Sequence, residues 1–192
     1  MRALVTIAPE SLRMPSTTRR TSTPSKLPVS LRGILRGIRV FATDVDGVLT
    51  DAGMYYSESG DEWKKFNTRD GMGIKLLQKA GIITAIITQE STKIVMRRAQ
   101  KLTIPEVHQG AYDKLAVLKD LISRYGLTMK QVAYIGDDVN DLQALSAVGF
   151  SASPADGIPP VLKVVRYVCK KNGGEGAVRE LADLILAAQQ PR

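Results

Sequence analysis

The sequence between Ile38 and Asp51 is IRVFATDVDGVLTD, and this stretch decides the fold. Its residues 40–42 form a short apolar run, which is typical of a strand buried on both faces of a parallel sheet. Two carboxylates, Asp44 and Asp46, follow directly. Because side chains alternate along an extended chain, we expect both carboxylates to point the same way. The stretch therefore predicts a buried strand that ends in a pair of acids.

Similar apolar runs recur along the chain, and amphipathic stretches separate them. Further buried strands are predicted at 82–87, 132–135 and 148–150. Apolar residues at three- and four-residue spacings predict helices at 71–80, 91–101, 113–125, 138–147 and 175–187. This alternation predicts an α/β fold with a Rossmann-like, doubly wound parallel sheet. Ligands bind at the carboxyl ends of the strands in such a sheet.

Residues 53–66 interrupt the alternation. Aromatic residues flank Ser59-Gly60-Asp61, which is the pattern of a protruding β-hairpin. A lone hairpin is marginally stable in water and needs a partner for Tyr55, Trp63 and Phe66. Packing against its own domain or against another subunit would cover them, and we favour the subunit contact.

The net charge of +8 belongs mainly to the N-terminal part of the chain. Residues 1–39 hold eight basic residues and one acidic residue, so residues 40–192 carry only +1. The nearly neutral body excludes a nucleic-acid partner, and the apolar runs are too short to cross a membrane. A single cysteine and a single histidine exclude an internal disulfide and disfavour zinc or Ser-His chemistry.

The sequence divides into an N-terminal arm, residues 1–35, and a domain, residues 36–188. The arm is rich in Ser, Thr, Pro and Arg, and it buries too little apolar surface to fold, so we predict that it is disordered. This composition suits a flexible tail, and it also suits an organelle transit peptide. We expect a cytoplasmic protein, with targeting by the arm left open.

A second acidic cluster, residues 137–141, follows the strand predicted at 132–135. Asp138 and Asp141 suit the start of a helix, whereas Asp137 is placed to reach inward. Carboxylates this close repel one another and need a cation, and oxygen ligands suit Mg²⁺. The sequence predicts a Mg²⁺ site formed by Asp44, Asp46 and Asp137.

Two further side chains complete a candidate catalytic set. Thr88 follows a predicted strand, and its hydroxyl could hold phosphate oxygens. Lys114 stands at the start of a helix, where the dipole disfavours a cation, so an anion is expected nearby. With Asp44 as nucleophile and Asp46 as general acid and base, these groups predict phosphate monoester hydrolysis through an aspartyl phosphate.

The candidate residues form four motifs along the chain, which are Asp44-Val-Asp46, Thr88, Lys114 and Gly136-Asp137-Asp138. These motifs, and their order, resemble those of the haloacid dehalogenase superfamily. Asp44 and Thr88 lie 44 positions apart, which leaves room for a hairpin but no cap domain. The chain thus resembles the capless branch, which forms homotetramers through the hairpins. Members of this branch hydrolyse 3-deoxy-D-manno-octulosonate (KDO) 8-phosphate or nonulosonate 9-phosphates, including those of KDN and N-acetylneuraminate. The resemblance implies a Mg²⁺-dependent phosphatase of a small sugar-acid phosphate.

The resemblance also implies a set of substrate-binding residues. By matching positions, these are Asp46, Asn67, Thr68, Arg69, Asp70, Gly71, Lys75, Glu90, Arg98, Lys114 and Asp138. Lys75 or Arg98 alone would be typical of a solvated helix face. The segment 173–176 would be a helix cap or, as the resemblance implies, a tail that reaches a neighbouring subunit's site.

One position departs from the octulosonate pattern. Glu90 stands where the octulosonate enzymes have Arg, in Thr88-Gln89-Glu90 instead of Thr-Gly-Arg. Arg would favour a substrate carboxylate, whereas Glu can accept hydrogen bonds from sugar hydroxyls or an amine. We favour the eight-carbon substrate and keep the nine-carbon acids as the alternative.

Two other protein classes use part of this pattern. A receiver domain carries its phospho-accepting Asp at a later strand end, where this chain has Thr88. A non-catalytic tetramerisation module would be expected to lack the nucleophile, but Asp44 and Asp46 are both present. The intact motifs favour the enzyme.

Overall fold

The computed structural model describes residues 29–190. The first helix, α1, spans Val29–Arg36, and Leu35 within it is fully buried. Helix α1 precedes the predicted start of the folded domain at residue 36, and its apolar side packs against the core. The rest of the predicted arm, residues 1–28, lies outside the described residues.

A six-stranded parallel sheet forms the centre of the domain. The strands of the structure are β1 (Val40–Thr43), β2 (Tyr55–Tyr56), β3 (Glu62–Trp63), β4 (Ile83–Ile87), β5 (Glu106–His108), β6 (Val132–Ile135), β7 (Phe150–Ser153) and β8 (Tyr167–Val168). The order in the sheet is β5-β4-β1-β6-β7-β8, so β1 lies between β4 and β6. The strand predicted at 148–150 lies at Phe150–Ser153 in the structure, as β7. The apolar run does not mark it, because two of its buried residues are the polar Ser151 and Ser153.

Helices cover both faces of the sheet. They are α1, α2 (Thr68–Lys79), α3 (Lys93–Leu102), α4 (Lys114–Arg124), α5 (Leu142–Ala147), α6 (Pro159–Leu162) and α7 (Ala177–Gln189). Helices α1, α2, α3 and α7 contribute to the apolar core on one face, and α4, α5 and α6 to that on the other. The predicted doubly wound α/β fold is confirmed, and residues 29–190 contain no cap domain.

The hairpin is present as a separate two-stranded sheet, in which Tyr55 pairs with Trp63. Phe66 packs against the domain's own core and lies under the guanidinium of Arg98, 5.4 Å from its ring centre. Tyr55, Tyr56 and Trp63 are 43%, 65% and 54% exposed. The chain thus covers only one of the three aromatic residues for which we expected a partner. No helix among the described residues is both long and apolar enough to cross a membrane.

The glycine-rich segment 173–176 packs against the chain's own loop that follows β1. The Gly174 N–H donates to the Val48 carbonyl at 3.0 Å, and a methyl group on Gly173 would collide with the Gly47 carbonyl. Only glycine permits this close backbone approach. In this chain the segment supports the loop that carries Asp44 and Asp46.

Glu106 ties the edge strand β5 to the end of α4. Its carboxylate accepts two hydrogen bonds from the Arg124 guanidinium, at 3.0 and 2.9 Å, and one from the Tyr125 hydroxyl at 2.8 Å. Hydrogen bonding from Arg124 is the main reason that the pKa of Glu106 falls from 4.5 to about 2. Since the folded-state pKa is below the unfolded one, this contribution is complete above pH 4.5 and is lost as the pH falls towards 2.

We expect Glu106→Gln to lower the free energy of unfolding by about 1–3 kcal/mol at pH 7, because a buried charge-assisted network loses its charge. The difference from wild type should shrink between pH 4.5 and 3, as measured by urea denaturation. Asp120→Asn is the matched control, because Asp120 binds the same Arg124 but its side chain is 67% exposed. It should cost less than about 0.5 kcal/mol. A cost for Glu106→Gln that does not vary with pH would contradict the assignment.

Candidate active site

The two predicted acidic clusters lie side by side because their strands are neighbours. Strand β1 ends just before Asp44 and β6 just before Gly136, and the Asp44 N–H donates to the Ile135 carbonyl at 3.0 Å. Gly47, with a φ of +77°, lets the chain turn away after Asp46, and a methyl group there would collide with the Asp137 carboxylate. The glycine therefore permits the close approach of the two acidic segments.

A cavity of about 290 Å³ opens at this edge of the sheet. Its lining includes six of the predicted site residues, which are Asp44, Asp46, Thr88, Glu90, Asp137 and Asp138. A larger hollow of about 680 Å³ lies at the opposite edge, between Arg36, Gly81 and Gln189. Among the described residues no carboxylate lines that hollow, so they do not supply there the groups that the predicted chemistry needs.

Lys114 lies buried beneath the cavity and pairs with two carboxylates. Its Nζ is 2.6 Å from Asp44 Oδ2 and 2.7 Å from Asp141 Oδ1, and the residue is 2% exposed. Lys114 is the first residue of α4, and Asp113 caps that helix by accepting from the Ala116 N–H. These contacts explain how a cation is accommodated at a helix N-terminus. Burial lowers the pKa of Lys114, but the charges of Asp44 and Asp141 outweigh this and raise it, so Lys114 remains protonated.

Asp44 and Asp137 lie close enough to share a metal ion with little rearrangement. One oxygen each from Asp44, Asp137 and Asp141 lies within 4.8 Å of the other two. Asp137 Oδ1 is buried and has no hydrogen-bond partner among the described residues. Burial, followed by the charges of Asp44 and Asp141, raises the pKa of Asp137 to about 8. Burial also raises the pKa of Asp44. Three carboxylates thus share a single ammonium, that of Lys114, and a divalent cation would balance the remaining negative charge.

Asp141 belongs to this group by position, but its oxygens are already occupied. Oδ1 accepts from Lys114 and from the Tyr134 hydroxyl, and Oδ2 accepts from the N–H groups of Asp137 and Asp138. The expected capping role of Asp141 is present, because its Oδ2 accepts from the Asp138 N–H at the start of the short helix 139–141. In addition, Asp141 holds Lys114 in place.

The Asp46 carboxylate lines the same cavity as Asp44 and Asp137, but it is held by other side chains. Asp46 Oδ1 accepts from Lys64 Nζ at 2.6 Å and from the Thr50 hydroxyl at 3.4 Å. Lys64 also donates to Glu90 Oε2 at 2.6 Å. Asp44, Asp46 and Asp137 all line the cavity, and their metal site stays a prediction.

Sequence reasoning missed Lys64 altogether. It stands beside Lys65 in the hairpin, and nothing in the sequence distinguishes the two lysines. In the structure the Lys64 side chain is 0% exposed, whereas that of Lys65 is 58% exposed. Burial lowers the pKa of Lys64, but its bonds to Asp46 and Glu90 outweigh this and raise it, so its ammonium stays charged.

Other predicted substrate-binding residues lie away from the cavity. None of Asn67, Thr68, Arg69, Asp70, Gly71, Lys75 and Arg98 is among the residues that line it. Asp70 is fully buried and accepts from the Arg179 N–H at 2.8 Å. Asp70 is thus enclosed within the single chain, and its predicted contact with substrate stays a prediction. Asp70 belongs to α2, and its carboxylate lies at the N-terminal end of α7, where a negative charge stabilises the helix.

The remaining members of this set lie on α2 and α3 or next to them. Asn67 caps α2 by accepting from the Arg69 N–H, and Arg98 donates to the Asn67 carbonyl at 2.9 Å. Thr68, Arg69 and Lys75 are exposed, and Gly71 is buried beneath Arg98. Within one chain these residues form a surface distinct from the cavity.

Comparison with known proteins agrees with the motifs. A family of haloacid dehalogenase-like hydrolases matches residues 78–181. The 3-deoxy-D-manno-octulosonate 8-phosphate phosphatase KdsC of Yersinia pestis is 44% identical over 152 residues, which cover 79% of this chain and 81% of that protein. KdsC of Escherichia coli K12 is 41% identical over 164 residues, covering 84% and 87%.

Structures of relatives carry the same fold. The 3-deoxy-D-manno-octulosonate 8-phosphate phosphatase of Moraxella catarrhalis, crystallised with magnesium, phosphate and KDO, is 42% identical. It superposes with a TM-score of 0.82 over 83% of this chain and 92% of that chain. The cobalt-bound enzyme of Haemophilus influenzae is 42% identical, with a TM-score of 0.78 over 81% and 91%. The chain thus belongs to the haloacid dehalogenase-like hydrolases and, within them, to the family of the 3-deoxy-D-manno-octulosonate 8-phosphate phosphatases.

Proposed function

We propose that this chain hydrolyses the terminal phosphate of a 2-keto-3-deoxy sugar acid, with 3-deoxy-D-manno-octulosonate 8-phosphate as the favoured substrate. The products are KDO and inorganic phosphate. The observation that carries the proposal is the cluster at the cavity in which the buried Asp44 lies beside the half-buried Asp137 and pairs with the buried Lys114. Identity of 41–44% to phosphatases acting on this sugar phosphate supports the choice of substrate.

The proposed reaction has two steps. A carboxylate oxygen of Asp44 attacks phosphorus, the bond from phosphorus to the ester oxygen breaks, and the Asp46 carboxyl gives its proton to that oxygen. Asp46 then takes a proton from a water molecule, whose oxygen attacks the phosphorus of the aspartyl phosphate. The bond to Asp44 breaks and its carboxylate is restored. Dividing the hydrolysis into two steps lowers each barrier.

Lys114 and Thr88 have supporting roles in this scheme. Lys114 keeps Asp44 oriented through the contact with Oδ2, and its charge offsets the negative charge of an incoming phosphate. Thr88 follows β4, is 2% exposed and lines the cavity. Its hydroxyl would hold a phosphate oxygen.

Asp44, Asp46 and Asp137 would hold the Mg²⁺ ion. The ion, when bound, neutralises charge on the phosphoryl oxygens. Because Lys64 engages Oδ1 of the Asp46 side chain, Asp46 would contribute its backbone carbonyl to the ion and keep its carboxylate for proton transfer. The unpartnered Asp137 oxygen supports this ligand set.

Glu90 favours a second candidate substrate. It lines the cavity in the position where the octulosonate enzymes have Arg, and it is paired with Lys64. A carboxylate there would accept hydrogen bonds from hydroxyls or the acylated amine of a nine-carbon acid. Nonulosonate 9-phosphate is therefore the alternative substrate.

The hairpin supports a tetramer in which neighbouring subunits complete the site. The exposed Tyr55, Tyr56 and Trp63 form an apolar surface on the hairpin. The exposed residues of α2, which lie away from the chain's own cavity, would face a neighbour's cavity.

Asp44→Asn should abolish turnover, because an amide cannot act as the nucleophile, and the fall in kcat should exceed about 10³-fold. The circular dichroism spectrum should remain that of wild type. In wild type, EDTA should abolish phosphate release and Mg²⁺ should restore it. Normal turnover by Asp44→Asn would contradict the mechanism and favour a different nucleophile.

Phosphate release from a substrate panel tests the specificity. The panel contains octulosonate 8-phosphate, KDN 9-phosphate and N-acetylneuraminate 9-phosphate, each assayed with wild type and Glu90→Arg. We expect wild type to prefer the octulosonate and Glu90→Arg to increase that preference, because Arg binds carboxylates in bidentate fashion. An unchanged ranking would remove Glu90 as the selector, and a wild-type preference for a nine-carbon acid would favour the alternative.

Light scattering should give wild type a mass near four times the chain mass of 20.9 kDa. Tyr56→Asp combined with Trp63→Asp should give smaller species, because it places charge in the apolar contact. Val164→Asp is the control, since Val164 is 46% exposed and lies outside the hairpin. A tetramer that survives the double substitution would exclude the hairpin as the contact.

A further inference from the structure

Lys64 is a buried cation that the proposed mechanism does not yet use. It directly follows β3, so the second strand of the hairpin delivers it to the site. Its side chain is 0% exposed, and a lysine is almost never buried to this extent unless its charge is paired. Its Nζ is 2.6 Å from both Asp46 Oδ1 and Glu90 Oε2, and 3.8 Å from Glu62 Oε1.

The contact with Lys64 makes the two oxygens of Asp46 unequal. Oδ1 accepts from Lys64 at 2.6 Å and from Thr50 at 3.4 Å, whereas Oδ2 accepts no hydrogen bond from residues 29–190. Rotation of the carboxylate would break the short bond to Lys64. Oδ2 is therefore the oxygen left for a substrate in the cavity.

Proton transfer depends on this orientation. A general acid must lie within about 2.6–3.2 Å of the atom that it protonates. A displacement of about 1 Å can reduce the rate on the order of 100-fold. Because Lys64 also bonds to Glu90, one ammonium joins the loop after β1, the loop after β4 and the root of the hairpin.

We infer that Lys64 is a positioning residue that holds Asp46 by Oδ1, so that Oδ2 can protonate the leaving oxygen. It also links the position of the hairpin to catalysis. The inference rests on the proposed function, in which Asp46 is the general acid. When the ester bond to phosphorus breaks, the Oδ2 proton passes to the ester oxygen, and Asp46 is left as a carboxylate paired with Lys64.

The dependence on the leaving group distinguishes positioning from a purely structural role. An alkyl phosphate such as octulosonate 8-phosphate releases a strongly basic oxygen that needs the proton. The phenolate of p-nitrophenyl phosphate leaves readily without one. For Lys64→Met we expect kcat on the sugar phosphate to fall about 10- to 100-fold, with a loss on p-nitrophenyl phosphate at least tenfold smaller.

Lys65→Met is the matched control. Lys65 is the adjacent lysine, its side chain is 58% exposed, and its bond is to Asp51 at 3.1 Å. Both rates of this variant should stay near those of wild type. Lys64→Arg should recover part of the sugar-phosphate rate, because a guanidinium can contact two carboxylates.

Equal losses on the two substrates, or no loss on either, would overturn the inference. Circular dichroism and the native mass test whether each variant folds. If Lys64→Met does not fold, Lys64→Gln takes its place in the same comparison. If wild type does not hydrolyse octulosonate 8-phosphate, the proposed substrate fails. The Lys64 comparison then uses the alkyl phosphate that wild type hydrolyses fastest, so the two failures are distinguishable.

Discussion

The buried ammonium of Lys114, held between Asp44 and Asp141, is the interaction on which the rest of the site depends. Its two contacts of 2.6 and 2.7 Å join α4, the loop after β1 and the segment after β6. Removing one partner of a buried ion pair leaves an uncompensated charge and is strongly destabilising. The Asp141 carboxylate is itself well compensated, because it accepts hydrogen bonds from four donors, one of which is Lys114. It therefore holds Lys114 firmly against Asp44.

The parallel sheet places these groups together. Because β1 pairs with both β4 and β6 in the same direction, the residues that follow all three strands meet at one edge. Asp44, Thr88 and Asp137 each follow one of these strands directly or after a single residue. The cost is a crowded set of carboxylates, whose pKa values burial and mutual repulsion raise. Such a site is more stable with a bound divalent cation than without one, and the cation would in turn attract a phosphate group.

The structural features that the sequence did not reveal share a physical cause. Edge strands β5 and β8 are only three and two residues long, too short to give a periodic signal. The α1 helix begins within a stretch whose composition resembles the arm before it. Asp70 matches a motif position, but its burial against the Arg179 N–H depends on a contact across 109 positions of the chain. Local pattern and motif position carry no information about such contacts.

The sequence alone determined the α/β class, the hairpin, and the placement of Asp44, Asp46, Thr88 and Lys114 at element ends. It could do so because strand ends, turns and helix starts are local features, and the order of the motifs is readable along the chain. Only the tertiary structure decided that Asp46 pairs with Lys64, that Asp141 anchors Lys114, and that Asp70 is buried. These outcomes depend on contacts between residues that are 18, 27 and 109 positions apart, which packing alone brings together.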